Sequence, residues 1–274
     1  MPPTKYNSTT FAPIFRKQKN KKPKVAIISL TSCDGCQVAL LDLGQRFLEL
    51  FKKIDLSRFN LLKDEKFDGH YDLSFVEGNP TSEEQIKILK KIRQSSNFLV
   101  VLGNCAAMGG IQEIKNYHQP QKIIRAVYKN LSKISNLEIR EVKDFVQVDY
   151  VLPTCPINAE EFLQFIYDFL NGKKFKIPER PVCYECQING YECLLQKGQI
   201  CFGPWILGGC QAICLKNGQP CWGCRGLLKE VDKKKLIETL KQVCPIGGQV
   251  VTKEEILKQA EIFGLRDEIE GMSN

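Results

Sequence analysis

Cysteine dominates the chemistry this sequence can do: thirteen cysteines stand among 274 residues, and eight of them, Cys183, Cys186, Cys193, Cys201, Cys210, Cys214, Cys221 and Cys224, share one short stretch. Cys33, Cys36, Cys105, Cys155 and Cys244 are spread over the remainder. In a reducing cytosol thiols stay free, so sulfur in this abundance points to metal or cluster ligation rather than disulfides. Four soft thiolates suit a tetrahedral zinc or a cubane iron–sulfur cluster, and twelve of the thirteen would make three such sets.

The stretch reads Cys183-x2-Cys186-x6-Cys193-x7-Cys201, then Cys210-x3-Cys214-x6-Cys221-x2-Cys224. Paired Cys-x-x-Cys steps separated by an insert also occur in zinc ribbons, and spacing does not choose between metals. Gly203, Gly208, Gly209, Gly218 and Gly223 are interleaved, which lets backbone amides approach inorganic sulfide closely. Cys33 and Cys36 open a helical stretch, where amides and the helix dipole stabilise a thiolate; a redox dithiol would use the same geometry but needs neither Cys105 nor Cys155. The alternative reading of those two is as buried structural cysteines. The GxGxxG and phosphate-loop patterns are absent.

The elements that must position these residues are those of an α/β protein. Lys24 to Leu30, Tyr71 to Gly78, Asn97 to Asn104 and Phe145 to Pro153 read as strands. Helices are expected over Gln37 to Lys53, Glu83 to Gln94 (capped by Thr81 or Ser82), near Gln121 to Leu131, and over Asn158 to Leu170. Alternating strands and helices imply a parallel, doubly wound sheet of flavodoxin type. Cys33 and Cys36 then follow the first strand, Cys105 the third and Cys155 the fourth, at the sheet edge where such folds bind ligands.

The expected divisions are a basic leader over 1–23, the sheet domain over 24–175, a cysteine-rich domain over 176–230, and C-terminal helices over 231–274 that pack back on the body. The cysteine-rich domain has little apolar periodicity, as expected of a fold built around bound metal. The net charge of +8 is concentrated in the leader, where Lys5, Arg16, Lys17, Lys19, Lys21, Lys22 and Lys24 precede the first acid, Asp34. It reads as a solvated arm, and the near-neutral remainder gives no reason to expect nucleic acid. With no apolar span and no signal core, the expected location is the cytoplasm.

The motifs LTSCDGCQ, FVEGNPTSEEQ, VVLGNCAAMGG, VLPTCPIN, PVCYECQINGYECLLQKGQICFGP and GCQAICLKNGQPCWGCRG, in this order over about Lys24 to Phe263, resemble the small electron-transfer subunit of nickel–iron hydrogenases. The similarity is greatest to the cytoplasmic NAD(P)-linked type also called sulfhydrogenase delta. The resemblance implies a flavodoxin-like domain with a proximal 4Fe-4S cluster on Cys33, Cys36, Cys105 and Cys155. It further implies a ferredoxin-like domain with medial and distal 4Fe-4S clusters on Cys183, Cys186, Cys193, Cys201, Cys210, Cys214, Cys221 and Cys224. The nickel–iron centre would lie in a separate large subunit, so this chain would be inactive alone. Further partners would be a flavin and NAD(P) diaphorase and additional iron–sulfur subunits.

Glu77 matches the family's glutamate–glycine position and would carry protons or hydrogen-bond near the proximal cluster; the plainer reading is a solvated loop acid. His70 and His118 lie outside the cysteine-rich domain, so the distal histidine of membrane-bound relatives has no counterpart. Leu215 stands where a proline is expected after Cys214. Related small subunits that feed heterodisulfide reductase, a deazaflavin or a quinone remain open, as does, more remotely, a zinc-stabilised binding module. Cys244 is left over and is expected to be a buried structural thiol.

Overall fold

The structure, a computed structural model, describes residues 21–62, 69–118, 124–125, 128, 138–246 and 249–271. Residues 1–20 of the leader expected over 1–23 lie outside the described residues, as does most of the helix expected near Gln121 to Leu131. The chain divides into two compact units, Met1–Phe175 and Lys176–Asn274.

In the first unit β1 (Lys24–Ser29), β2 (Asp55–Phe59), β3 (Tyr71–Glu77), β4 (Ser96–Leu102) and β5 (Tyr150–Leu152) form one parallel sheet in the order β2-β1-β3-β4-β5. That is the flavodoxin order, whose switch point lies between β1 and β3. The central strands are continuous apolar runs because both faces are covered: Val25, Ala26, Ile27, Ile28, Leu73, Phe75, Val76 and Leu99 to Leu102 are all buried.

The helix expected over Gln37 to Lys53 is two, α1 (Gly35–Leu41) and α2 (Gln45–Leu50), broken at Gly44 with φ 55°. α3 (Glu83–Gln94) matches its expected bounds; Ser82 Oγ accepts from the Gln85 amide, with Glu83 and Glu84 in the first turn and Lys91 and Arg93 in the last, as the helix dipole favours. α4 (Asn104–Met108) follows β4. α5 (Ala159–Leu170) is capped by Asn158 and lays Phe162, Phe165 and Phe169, spaced i, i+3, i+7, on one sheet face. Phe162 meets Phe75 at 5.0 Å between ring centres, and Phe169 meets Phe98 at 5.8 Å.

Two strands differ from expectation. β2 is an edge strand that buries only Phe59, so its sequence carries no apolar run. β5 has three residues because the Asp149 carboxylate, paired with Arg93 at 2.5 Å, accepts the Leu99 amide at 2.8 Å, the bond a longer strand would have made.

In the second unit α6 (Val182–Ile188), α7 (Ile213–Lys216), α8 (Lys233–Val243), the short hairpin β6 (Pro245–Ile246) and β7 (Gln249–Val250), α9 (Lys253–Glu261) and α10 (Leu265–Glu270) surround irregular backbone. The segment Trp205–Gly208 is central: it bonds Arg180 and Val182 on one side and Gly226 and Leu228 on the other. The C-terminal helices share this unit with the cysteine-rich segment and supply about half of its apolar interior, where Leu236, Leu240, Ile256, Leu257 and Leu265 are buried, as are Phe202 and Ile206.

Candidate iron–sulfur sites

At the switch point, Cys33 and Cys36 follow β1, Glu77 ends β3, Cys105 sits at the start of α4 just after β4, and Cys155 follows β5. Asp34, at φ 57°, turns the chain into α1; its Oδ1 accepts from Ser29 and Ser32 hydroxyls and from Gln37 Nε2. Glu77 is no solvated loop acid. It is 2% exposed, its Oε1 accepts the Cys36 amide at 3.0 Å and its Oε2 accepts Gln37 Nε2 at 3.1 Å. Burial pushes its carboxyl above the ordinary value.

The four thiols share one electrostatic neighbourhood. Burial raises Cys36 far above an ordinary thiol, with Glu77 and then Cys155 adding to it, while the Ile157 amide bonds its sulfur. Cys105 is pushed up to about 12 by burial and by the charges of Cys155, Cys33 and Glu77. Such thiols keep their protons unless positive charge arrives, and a metal supplies it. Backbone is packed tightly against the sulfurs: a Cβ on Gly103, itself at φ +85°, would overlap Cys36 Sγ. Cys33 and Cys155 are exposed at this edge.

In the second unit one pocket is lined by Cys183, Cys186, Cys193 and Cys201 together with Val182, Leu194 and Leu215. Cys183 is pushed up to about 12 by burial and by Cys201, Cys186 and Cys193. The other four cysteines lie close to one another and to Cys201: Cys221 is raised by burial, then by Cys224 and Cys201, with Cys210 also contributing, and Cys214 by burial, then by Cys210 and Cys201. The sets abut where the Cys221 amide donates to Cys201 Sγ at 3.2 Å.

Amides aim at sulfur in a repeated way. The amide two residues on bonds each of Cys201, Cys210 and Cys221, from Gly203, Ala212 and Gly223. Gln211 and Ala212 are both left-handed, at φ 59° and 49°, which turns that amide inward. Gly203 forms a cradle that a side chain would fill, since a Cβ there would lie 3.3 Å from Cys183 Sγ and 3.6 Å from Cys201 Sγ. All-thiolate donors, inward amides and this cradle fit an iron–sulfur cluster. Among the described residues, no group of three or more His, Cys, Asp or Glu is placed to hold a single metal ion.

Cys244 is buried at the end of α8, its thiol donating to the Gln199 carbonyl at 3.2 Å. His70 and His118 are exposed. Sequence reasoning missed Gln37, fully buried beneath the first set, and Arg225, 2% exposed beside Cys224; a glutamine on the inner face of α1 and an arginine within Cys-Arg-Gly were the signals to follow.

Residues 33–169 match the family described as NADH ubiquinone oxidoreductase, 20 Kd subunit. The chain belongs to this family, among the small subunits of nickel–iron hydrogenases. It is 32% identical to sulfhydrogenase 2 subunit delta of Pyrococcus furiosus, over 88% of this chain and 98% of that one. The NAD-reducing hydrogenase HoxS subunit delta of Cupriavidus necator is 27% identical over 62% of this chain and 90% of its own. Among solved structures, an NAD+-reducing [NiFe]-hydrogenase in the H2-reduced state superposes with a TM-score of 0.54 at 29% identity, covering 58% of this chain and 96% of that chain. Among the described residues no helix is long and apolar enough to cross a membrane.

Proposed function

We propose that this chain relays electrons for a cytoplasmic nickel–iron hydrogenase through three 4Fe-4S clusters. The observation that carries the reading is the convergence of the cysteines into three groups, one at the sheet's ligand edge and two in the second unit. Cys33, Cys36, Cys105 and Cys155 would hold the proximal cluster, Cys183, Cys186, Cys193 and Cys201 a second, and Cys210, Cys214, Cys221 and Cys224 a third. Bound clusters supply reversible one-electron transfer, at potentials set by charge, hydrogen bonds to sulfur and exposure.

The chain's own residues do the rest. Exposed Cys33 and Cys155 put the first site at a surface that a large subunit, carrying the nickel–iron centre, would cover. Glu77 fixes the Cys36 backbone and, because burial favours its protonated form, can exchange a proton beside that site. The Cys221 amide, bonded to Cys201 Sγ, links the two outer sites. Because the nickel–iron centre would belong to the large subunit, the isolated chain is expected to be inactive towards dihydrogen. Its onward partners would be additional iron–sulfur subunits and a flavin diaphorase using NAD(P).

A second acceptor has support in the coverage of the relatives. A subunit of the F420-non-reducing hydrogenase of Methanothermobacter thermautotrophicus matches 88% of this chain, against 62% for the NAD-reducing relative. A heterodisulfide reductase, quinone or deazaflavin module in place of the diaphorase is the alternative, with a relative named for not reducing F420 speaking for the first two rather than the last, and hydrogen-dependent NAD(P) reduction by the purified complex tests the diaphorase reading. The relay itself is tested by anaerobic purification: about twelve irons and twelve acid-labile sulfides per chain are expected, with a broad brown absorption. A colourless protein with stoichiometric zinc would overturn it.

A further inference from the structure

The third cysteine group has a charged neighbour that the relay does not yet use. Arg225 follows Cys224 directly and is 2% exposed, a rare degree of burial for a guanidinium. Its Nε donates to the Leu207 carbonyl at 3.1 Å. Around it the backbone closes on itself, with the Gly226 amide bonded to Gly223 and the Leu207 amide to Gly226. Arg225 is thus fixed between the Cys221-x2-Cys224 loop and the segment that leads to Cys210.

We propose that Arg225 is a redox-positioning residue, whose buried positive charge raises the reduction potential of the cluster held by Cys210, Cys214, Cys221 and Cys224. The proposal rests on the iron–sulfur reading of those cysteines. An added electron is negative charge, and a fixed cation in a low-dielectric interior favours it more than the same cation in water would. One peptide bond joins Arg225 to Cys224, and its Nε holds the Leu207 carbonyl, three residues before Cys210, so the cation is fixed between the two halves of this cysteine set. Two adjacent sites with the same ligands would then differ in potential, and the buried cation makes the third site the better resting place for an electron.

The experiment is a potentiometric titration of the purified complex followed by electron paramagnetic resonance, on wild type, R225Q and R225K, with iron counted in each. The third group's signal is identified by its change in Cys214→Ser. In R225Q that cluster should show about a tenfold lower reduced-to-oxidised ratio at a fixed poise near its midpoint, which is about 59 mV for a one-electron couple. R225K should stay near wild type, and the other clusters should not move. An unchanged potential in R225Q, or an equal fall in R225K, would overturn the proposal. If R225Q loses iron, restoration of both iron and potential by R225K supports the role of charge. Loss of iron in both variants overturns it, because the site then needs the shape of the guanidinium. A wild-type complex without iron would instead overturn the relay, so the two failures are distinct.

Discussion

Cys33, Cys36, Cys105 and Cys155 reach one edge from three loops of a sheet that is complete without them. The strands beneath are sealed by Phe75, Phe162, Phe165 and Phe169, and no cysteine is needed to close that core. The second unit is built the other way. Five of its eight clustered cysteines lie outside helix and strand and the other three in the short helices α6 and α7, while much of its apolar interior comes from α8, α9 and α10. Where ligands are far apart in sequence, the fold makes the site; where they are close together, the site helps to make the fold.

Metal removal should expose that contrast most strongly. Chelation under reducing, denaturant-free conditions is expected to unfold the second unit, because four crowded thiols per site then lose the cation that held them together. The sheet unit should keep its secondary structure. Limited proteolysis would show it, with a fragment near residues 24–175 outlasting everything beyond. Digestion of both units at the same rate would break the comparison.

The next effect is functional. Cys36→Ser should lower every hydrogen-linked activity by more than roughly a hundredfold, since the first acceptor after the large subunit is lost. Cys186→Ser or Cys214→Ser should stop reduction of the natural acceptor while leaving part of the reduction of artificial dyes that reach the inner clusters. The comparison holds only in protein whose other two clusters are intact by iron count. Equal loss of dye and natural-acceptor activity from both kinds of variant argues against a linear relay.

Much of this contrast was legible in the sequence, for physical reasons. β1, β3 and β4 are buried on both faces and so read as continuous apolar runs, and α3 carries its own cap and charge pattern. β2 was not legible because an edge strand with one buried residue has no run to show. β5 was overestimated because the bond that shortens it comes from the Asp149 side chain. At the site, residue types and loop positions identified the cysteines. The meeting of Cys183 and Cys201 at one pocket, and the burial of Glu77 and Arg225, depend on how loops fold over one another. No spacing encodes that. The interior of the second unit was only partly legible: the C-terminal helices were expected to pack back, but no motif ties Leu236, Leu240, Ile256 or Leu265 to the cysteine-rich segment that precedes them.

Two substitutions in the sheet unit sharpen the separation of site from fold. Gly103→Ala should cost the proximal site its iron, about four of about twelve, because the new Cβ collides with Cys36 Sγ and the φ of +85° disfavours a side chain. Phe165→Ala should do the opposite. Its ring packs on Phe75, Tyr150 and Phe175, so removal should cost about 3–5 kcal/mol of stability while leaving iron content unchanged in the folded protein. Denaturant unfolding and an iron assay on each variant give the two readings.

The smallest expected effect is at Cys244, and it is where the assignment of ligands is most exposed. This thiol is buried, and the charge of Cys201 is among the causes, after burial, that raise it, so it stands close to a site yet outside the twelve cysteines assigned. Its Sγ already has a partner in the Gln199 carbonyl, on the segment that leads to Cys201. A serine hydroxyl can make the same bond, with a shorter reach and a somewhat greater cost of burial. Cys244→Ser should therefore lower stability by about 1 kcal/mol and leave about twelve irons in place. Retention of iron together with unaltered cluster potentials means that the second unit keeps one sulfur purely for packing. Loss of about four irons would make Cys244 a ligand, and one of Cys183, Cys186, Cys193 and Cys201 would then be the packing residue instead.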